Sequence, residues 1–160
     1  ILKLKSPTIE KSIYESCKIK KKIVEKDEKE SNLRKTLNFG HTFGHAFEAT
    51  TGYSKKLNHG EAIILGIQMS LKFSKIQKII KKNDFTSIID HLKNSNLPSN
   101  IKNYFSSKDI NKILTFMNKD KKNKSDKINL ILLKKVGSTI INKEYSRKKL
   151  KDFFQKELLN

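Results

Sequence analysis

The 160-residue sequence contains little cysteine, no tryptophan and no long hydrophobic run. Cys17 is its only cysteine, which excludes an intrachain disulfide and fits a reducing compartment. The longest apolar runs, Ala62–Ile67 and Leu130–Leu133, are far shorter than the roughly 18–20 residues that a membrane-spanning helix needs. The start of the chain shows no signal-peptide pattern. These absences predict a soluble, cytoplasmic protein without a membrane partner.

Arginine is scarce although the chain is strongly basic. The 35 basic and 16 acidic residues give a net charge of +19, yet Arg34 and Arg147 are the only arginines. Arginine is the better residue for bidentate recognition of phosphates and bases, and the lysines are spread along the whole chain. The composition therefore favours solvated lysine-rich surfaces over a nucleic-acid interface, and it is compatible with an anionic small-molecule substrate.

Helical periodicity dominates the sequence, and its length suits a single domain spanning residues 1–160. No glycine-rich phosphate loop or dinucleotide-binding fingerprint is present. The chain begins at Ile1 rather than Met, which suggests a fragment. The fold class is predicted to be mainly α, multi-helical, with a short β-hairpin. The predicted helices are Ser6/Pro7 to Lys26, Leu33 to Thr50, Asn58 to Lys75, 84–94, 108–118 and 146–159, and the predicted strands are 127–133 and 138–141.

The first predicted helix carries a lysine on its apolar seam. The seam reads Ile9, Ile13, Cys17, Lys20 and Val24, at alternating spacings of four and three. A lysine at a buried position either extends its ammonium group out to solvent or points it into an anionic site, and both interpretations stay open.

The second predicted helix concentrates polar residues on one face. Arg34, Asn38, His41, His45 and Glu48 are spaced 4, 3, 4 and 3, so on a continuous helix they line one side. We interpret Glu48 as a structural residue or as a hydrogen-bonding partner for a histidine.

The opposite face of this helix includes two glycines, Gly40 and Gly44, beside Leu33, Leu37 and Phe47. Each glycine costs about 1 kcal/mol relative to alanine inside a helix. The two glycines therefore predict a close backbone approach.

Three of the four histidines fall within nineteen residues. His41 and His45 form an i, i+4 pair, and His59 begins the next helix, which Asn58 and Glu61 are predicted to cap. The three imidazoles are compatible with a divalent metal site or with one ligand beside an acid–base residue, and equally with ordinary hydrogen-bonded histidines; spacing alone leaves these alternatives open. Without an HExxH pattern, a metalloprotease is not expected.

The segment Leu33–Glu48, LRKTLNFGHTFGHAFE, followed by GY and LNHGEAI, resembles the signature of the 3-dehydroquinate synthases. Two flanking stretches are also similar to that family. They are Lys20–Glu30 upstream, and Asp120-Lys121-Lys122 with the strand Ile128–Leu133 and Gly137 downstream.

The resemblance implies a two-domain enzyme of which this chain matches the helical C-terminal domain. The missing N-terminal domain would bind NAD on a Rossmann-like sheet. The implied reaction converts 3-deoxy-D-arabino-heptulosonate 7-phosphate into 3-dehydroquinate and phosphate, in aromatic amino-acid biosynthesis. The family implies a Zn²⁺ ion, or another divalent metal such as Co²⁺, and a homodimer for the complete enzyme. The isolated chain is expected neither to bind NAD nor to turn over substrate.

The resemblance also assigns roles to residues. His41 and His59 match metal ligands, and the third ligand, a glutamate, is expected in a segment before Ile1. Lys20, Glu30 and His45 match catalytic residues, with His45 in proton transfer. The residues that match substrate-binding positions are Lys20, Arg34, Asn38 and Lys121, the last chosen over Lys122.

Three alternatives are also compatible with the sequence. A related sugar-phosphate cyclase, forming an inosose or a valiolone, would share the metal and the oxidation chemistry, although Lys20, Arg34 and Asn38 favour a substrate with a carboxylate. A basic helical domain that binds nucleic acid would show steep salt dependence. A degenerate remnant would have a structural role only.

Overall fold

The computed structural model describes residues 5–95, 97–119 and 127–159. Its contacts divide the chain into two compact units, Ile1–Asn38 and Phe39–Asn160. The prediction of a mainly helical fold with one hairpin is confirmed. Among the described residues, none of the helices has the length and hydropathy to cross a bilayer. That residues 1–160 act as one metal- and substrate-binding domain stays a prediction.

The first unit consists of helix α1, Thr8–Lys26, and the 3-10 helix Leu33–Asn38. The start and end of α1 agree with prediction to within one residue, with Pro7 at the N-cap. At its C-terminus the Asp27 N–H donates to the carbonyls of Ile23 and Val24, each at 3.1 Å.

The prediction of a buried seam on α1 is wrong for this chain. None of the residues of α1 is buried; Cys17 and Lys20 are exposed, and Ile13 and Ile19 each keep 58% of their surface in solvent. Lysine-rich positions surround the seam, and the described unit supplies no apolar layer to cover it. Both interpretations of Lys20 assumed a buried position on the seam, and the exposed position of Lys20 contradicts that assumption.

The prediction of one continuous helix from Leu33 to Thr50 is also wrong. Leu33–Asn38 is a 3-10 helix, and the second α-helix, α2, runs only from His41 to Thr50. Gly40, which lies between these two helices, has φ +82° and so breaks the helical conformation. Glycine adopts this left-handed conformation without a steric penalty. The single polar face drawn from Arg34 to Glu48 therefore does not form as one helical surface.

The second unit is built around helix α3, His59–Ile76. Its N-terminus has the predicted capping box, in which the Asn58 N–H donates to Glu61 Oε2 at 2.9 Å. The helix buries residues on most of its circumference, including Leu65, Met69 and Phe73, which agrees with its nearly continuous apolar sequence.

The remaining elements of the second unit follow α3 in the chain. They are α4 (Lys82–Asn94), the 3-10 segments Ile101–Asn103 and Ser107–Asp109, α5 (Ile110–Lys119), β1 (Lys127–Lys135), β2 (Ser138–Ser146) and α6 (Arg147–Leu159). The strands pair antiparallel in one hairpin, as predicted, and extend further than the sequence pattern indicated. β1 buries Ile128, Leu130 and Leu132 on its inner side.

Aromatic rings join α2, α3 and α6 in the core. Phe43 on α2 lies 6.2 Å from Phe153 and 5.8 Å from Phe154 between ring centroids, and Phe73 on α3 lies 5.0 Å from Phe153. All four rings are almost fully buried. Such edge-to-face packing adds roughly 0.5–1.5 kcal/mol per pair beyond the burial of apolar area. These contacts therefore stabilise the position of α2 in the core.

Candidate metal centre

The rings of three histidines from α2 and α3 lie close together. His41 is the first residue of α2, His45 lies one turn further, and His59 is the first residue of α3. Their ring centroids are 5.3 Å (His41–His45), 6.0 Å (His45–His59) and 6.3 Å (His41–His59) apart. Since zinc–nitrogen bonds measure about 2.0–2.1 Å, two imidazoles on one ion have centroids roughly 5–6.5 Å apart. The observed spacing is compatible with a shared ion.

Close backbone packing brings these histidines together. A Cβ on Gly44 would lie 3.1 Å from the Ala62 carbonyl oxygen, and a Cβ on Gly40 would lie 2.7 Å from the backbone nitrogen of Ile67. The predicted close approach is therefore confirmed at both glycines. Gly66, on the facing side of α3, completes the contact, because its Cβ would lie 2.2 Å from the Gly40 carbonyl oxygen. Gly40, at the start of α2, lies beside Ile67, whereas Gly44, one turn later, lies beside Ala62, which comes earlier in α3. The two helices therefore run antiparallel.

Glu48 orients His59. The Nδ1 atom of His59 lies 3.1 and 3.0 Å from the two carboxylate oxygens of Glu48. The Glu48 side chain is only 13% exposed, whereas His59 is 63% exposed. A carboxylate that accepts from Nδ1–H leaves the Nε2 lone pair for a metal, the usual arrangement around histidine ligands. The interpretation of Glu48 as a histidine partner agrees with this geometry.

His41 has the same pattern with a backbone acceptor. Its Nδ1 lies 3.3 Å from the carbonyl oxygen of Phe39, which favours the tautomer with a lone pair on Nε2. Burial lowers the pKa of His41 below its ordinary value of 6.5; the hydrogen bond with Phe39 opposes this, and the neighbouring His45 and His59 lower it further. His41 is therefore neutral at physiological pH, as a metal ligand must be.

The group of potential metal-binding atoms that lie within a short distance of one another includes Glu48 in place of His41. Potential ligand atoms of His45, Glu48 and His59 all lie within 4.8 Å of one another. We assign Glu48 to orienting His59 rather than to a metal, because its oxygens face the Nδ1 atom and its side chain lies in the protein interior. A donor set of imidazoles suits Zn²⁺ or Co²⁺. That His41 and His59 are the residues that hold the ion stays a prediction.

The first unit contains the predicted anion-binding and acidic residues. Glu30, in the turn after α1, accepts a hydrogen bond from Asn38 Nδ2 at 2.6 Å. Arg34 donates from Nη1 to the Glu28 carbonyl oxygen at 2.8 Å. The structure therefore brings Glu30, Arg34 and Asn38 into one local network. Lys20 stands apart on the exposed surface of α1, and Lys121 lies outside the described residues.

Two residues that shape this arrangement, Gly66 and Asp27, were not predicted from the sequence. Gly66 lies inside the apolar run Ala62–Ile67, where a glycine is itself a signal of close packing. Asp27 accepts four hydrogen bonds in the turn before the 3-10 helix, from Ser31, Asn32 and Arg34. An aspartate directly after a helix and before Ser-Asn is a turn signal that could have been used.

Comparison with known protein families supports the resemblance drawn from the sequence. Residues 1–123 match the family model for the C-terminal part of 3-dehydroquinate synthase. The chain belongs to the 3-dehydroquinate synthase family. A 3-dehydroquinate synthase from Pelagibacter ubique (strain HTCC1062) is 53% identical over 158 residues, which cover 99% of this chain and 43% of that protein. One from Thermodesulfovibrio yellowstonii is 42% identical, over 94% of this chain and 41% of that protein. The chain thus spans about two fifths of the length of these relatives.

Solved structures share the fold of this chain. A crystal structure of 2-deoxy-scyllo-inosose synthase complexed with carbaglucose-6-phosphate, NAD⁺ and Co²⁺ aligns with a TM-score of 0.65 at 23% identity. The alignment covers 82% of this chain and 36% of that one. A second crystal structure of 2-deoxy-scyllo-inosose synthase aligns with a TM-score of 0.58 at 21% identity. At these identities the likeness supports the fold alone.

Proposed function

We propose that this chain is the metal- and substrate-binding part of a 3-dehydroquinate synthase. The proposed reaction converts 3-deoxy-D-arabino-heptulosonate 7-phosphate into 3-dehydroquinate and phosphate, a carbon–oxygen lyase step of the shikimate pathway. The observation that carries the proposal is the convergence of His41, His45 and His59 within a segment that matches the family.

The three histidines have separate proposed roles. His41 and His59 hold a divalent metal through Nε2, because their Nδ1 atoms already face acceptor oxygens. A divalent metal bound there supplies Lewis-acid polarisation of a substrate hydroxyl. His45 is exposed beside both rings and moves a proton at the reacting centre.

The residues of the first unit, together with Lys121, supply charge and hydrogen bonds to the substrate. Lys20, Arg34 and Lys121 match the anionic groups of a sugar phosphate that also carries a carboxylate, and Asn38 binds its hydroxyls. Glu30 and Lys20 are proposed as catalytic residues of the same reaction. The net charge of +19 favours the approach of such a substrate.

A complete enzyme of this kind requires NAD, which supplies a transient oxidation of the substrate. We propose that an N-terminal domain outside residues 1–160 binds most of the NAD and provides a third, acidic metal ligand. A cytoplasmic location and a homodimer are parts of the same proposal.

The test is an assay of the full-length gene product for phosphate release and 3-dehydroquinate formation, with residues 1–160 alone as comparison. His41→Ala is expected to lower turnover by about 100-fold or more, because several kcal/mol of charge stabilisation depend on the metal. It is also expected to lower Co²⁺ affinity. His91→Ala is the matched control, since His91 is an exposed histidine on α4. Full activity in His41→Ala would contradict the proposal.

The activity assay with other substrates and a nucleic-acid-binding measurement separate the alternative functions. Activity with a hexose phosphate that lacks a carboxylate, and none with the heptulosonate substrate, would indicate a related cyclase. Binding to DNA or RNA with steep salt dependence, unchanged in His41→Ala, would indicate a nucleic-acid-binding domain. The 53% identity to a relative named 3-dehydroquinate synthase favours the first reaction.

A further inference from the structure

One carboxylate organises the turn between α1 and the 3-10 helix. Asp27 Oδ1 accepts hydrogen bonds from the backbone nitrogen and the hydroxyl of Ser31, both at 2.9 Å. Its Oδ2 accepts from the backbone nitrogens of Asn32 at 2.8 Å and Arg34 at 2.9 Å. A single side chain thus accepts hydrogen bonds from three backbone N–H groups around the start of the 3-10 helix. The first N–H groups of a helix have no acceptor within the helix, and here Asp27 supplies one.

The turn and the 3-10 helix that follows it carry three residues of the proposed site, Glu30, Arg34 and Asn38. Glu30 has φ +52°, a left-handed conformation that a residue with a side chain keeps only where its surroundings hold it. The Glu30 N–H donates to the Asp27 carbonyl oxygen at 3.2 Å, and the Glu30 carboxylate accepts from Asn38. The backbone of Arg34 is held by Asp27, and its guanidinium group by the Glu28 carbonyl.

We propose that Asp27 is a positioning residue, whose carboxylate holds Glu30, Arg34 and Asn38 in the arrangement that the reaction uses. This inference rests on the proposed function, because it concerns how the same substrate is held. Within the described residues, the Asp27 side chain accepts hydrogen bonds from Ser31, Asn32 and Arg34, which belong to the turn and the start of the 3-10 helix.

The electrostatics of the turn agree with this role. Hydrogen bonds from the backbone of Arg34 and of Asn32, and then from Ser31, hold the pKa of the Asp27 carboxyl far below its ordinary value. Asp27 therefore stays ionised throughout the physiological range. Its hydrogen bonds are charge-assisted and stronger than those of a neutral acceptor.

The test compares Asp27→Asn with Asp109→Asn in the full-length gene product. An amide has one acceptor oxygen, so asparagine at position 27 leaves at least one backbone N–H facing an NH₂ group. Asp109 is the matched control, because its Oδ2 accepts from the nitrogen and the hydroxyl of Ser106, at 2.8 and 3.0 Å, in another 3-10 start. Losing that cap weakens a turn of the same chemistry in the second unit.

The readouts are KM, kcat and hydrogen exchange of the peptide covering residues 28–38. Asp27→Asn is expected to raise KM about tenfold, to change kcat less, and to speed exchange in this peptide. Asp109→Asn is expected to leave KM and that peptide unchanged. Loss of folded protein alone lowers apparent kcat and leaves KM unaltered, so the split separates positioning from stability.

Each other outcome has a defined meaning. An unchanged KM in Asp27→Asn, or an equal rise in Asp109→Asn, overturns the positioning role while the proposed function stands. A wild-type protein without cyclase activity overturns the proposed function and this inference with it. If Asp27→Asn fails to fold, Ser31→Ala decides, because it removes only the hydroxyl bond and is expected to raise KM about two- to threefold; no change there overturns the inference.

Discussion

Two parts of the molecule that carry candidate site residues are built in opposite ways. In the turn at residues 27–38, hydrogen bonds between residues at most eight positions apart hold Glu30, Arg34 and Asn38. The histidines of α2 and α3 depend instead on backbone contact between residues more than twenty positions apart, at Gly40 and Gly66. The comparison teaches that local polar bonds suffice to shape a turn, whereas a cluster drawn from two helices needs the helices to pack closely.

The largest effect is expected where the helix contact is broken. Gly66→Ala places a methyl group 2.2 Å from the Gly40 carbonyl oxygen and 2.7 Å from the Gly44 nitrogen, both backbone atoms that cannot turn aside. We expect a loss of about 1–3 kcal/mol or more in the free energy of unfolding, together with weaker metal binding. Urea unfolding and Co²⁺ titration measure the two effects.

Gly60→Ala is the matched control for that change. Gly60 lies in the same helix, and a Cβ there would meet no atom within 4 Å. Alanine is expected to leave stability unchanged or to raise it by up to about 1 kcal/mol. Equal stability of the two variants would mean that the close approach of α2 and α3 does not hold the cluster together.

A smaller effect is expected from the residue that orients a metal ligand. Glu48→Gln keeps the shape but removes the charge that faces His59 Nδ1. Metal affinity of the full-length gene product is expected to fall about 10–100-fold, and less than in His59→Ala. Calorimetric titration with Zn²⁺ measures both variants. A loss in Glu48→Gln as large as that in His59→Ala would make Glu48 a ligand, in agreement with its short distances to His45 and His59.

The smallest effect concerns the pH dependence of the turn. The pKa of Asp27 is lower in the folded chain than its ordinary value of 3.8. Its contribution to stability is therefore complete above the unfolded-state pKa and is lost as the pH falls through the folded-state pKa. Protection of the Ser31, Asn32 and Arg34 amides is expected to persist from pH 8 to 5 and to fade only in strong acid. Loss of that protection between pH 7 and 5 would show that another group holds the turn.

The sequence predicted most elements of the second unit because their signals are local. The capping box at Asn58 and Glu61, the apolar α3 and the hairpin strands each follow from the character of a short stretch of residues. The same reasoning failed for residues 33–50. Over a turn or two, apolar spacing cannot distinguish a 3-10 helix, a left-handed glycine and a new α-helix from one continuous helix.

By itself, the sequence determined the chemistry that the protein has available: three clustered histidines, a basic surface, and a signature that places the chain in its family. Only the tertiary structure decided which groups meet. Gly40 separates the 3-10 helix from α2, and Gly66 leaves room for the backbone of α2. A hydrogen bond joins Glu48 on α2 to His59 on α3. The physical reason is that a contact between distant residues depends on the packing of both elements at once, and no local pattern contains that information.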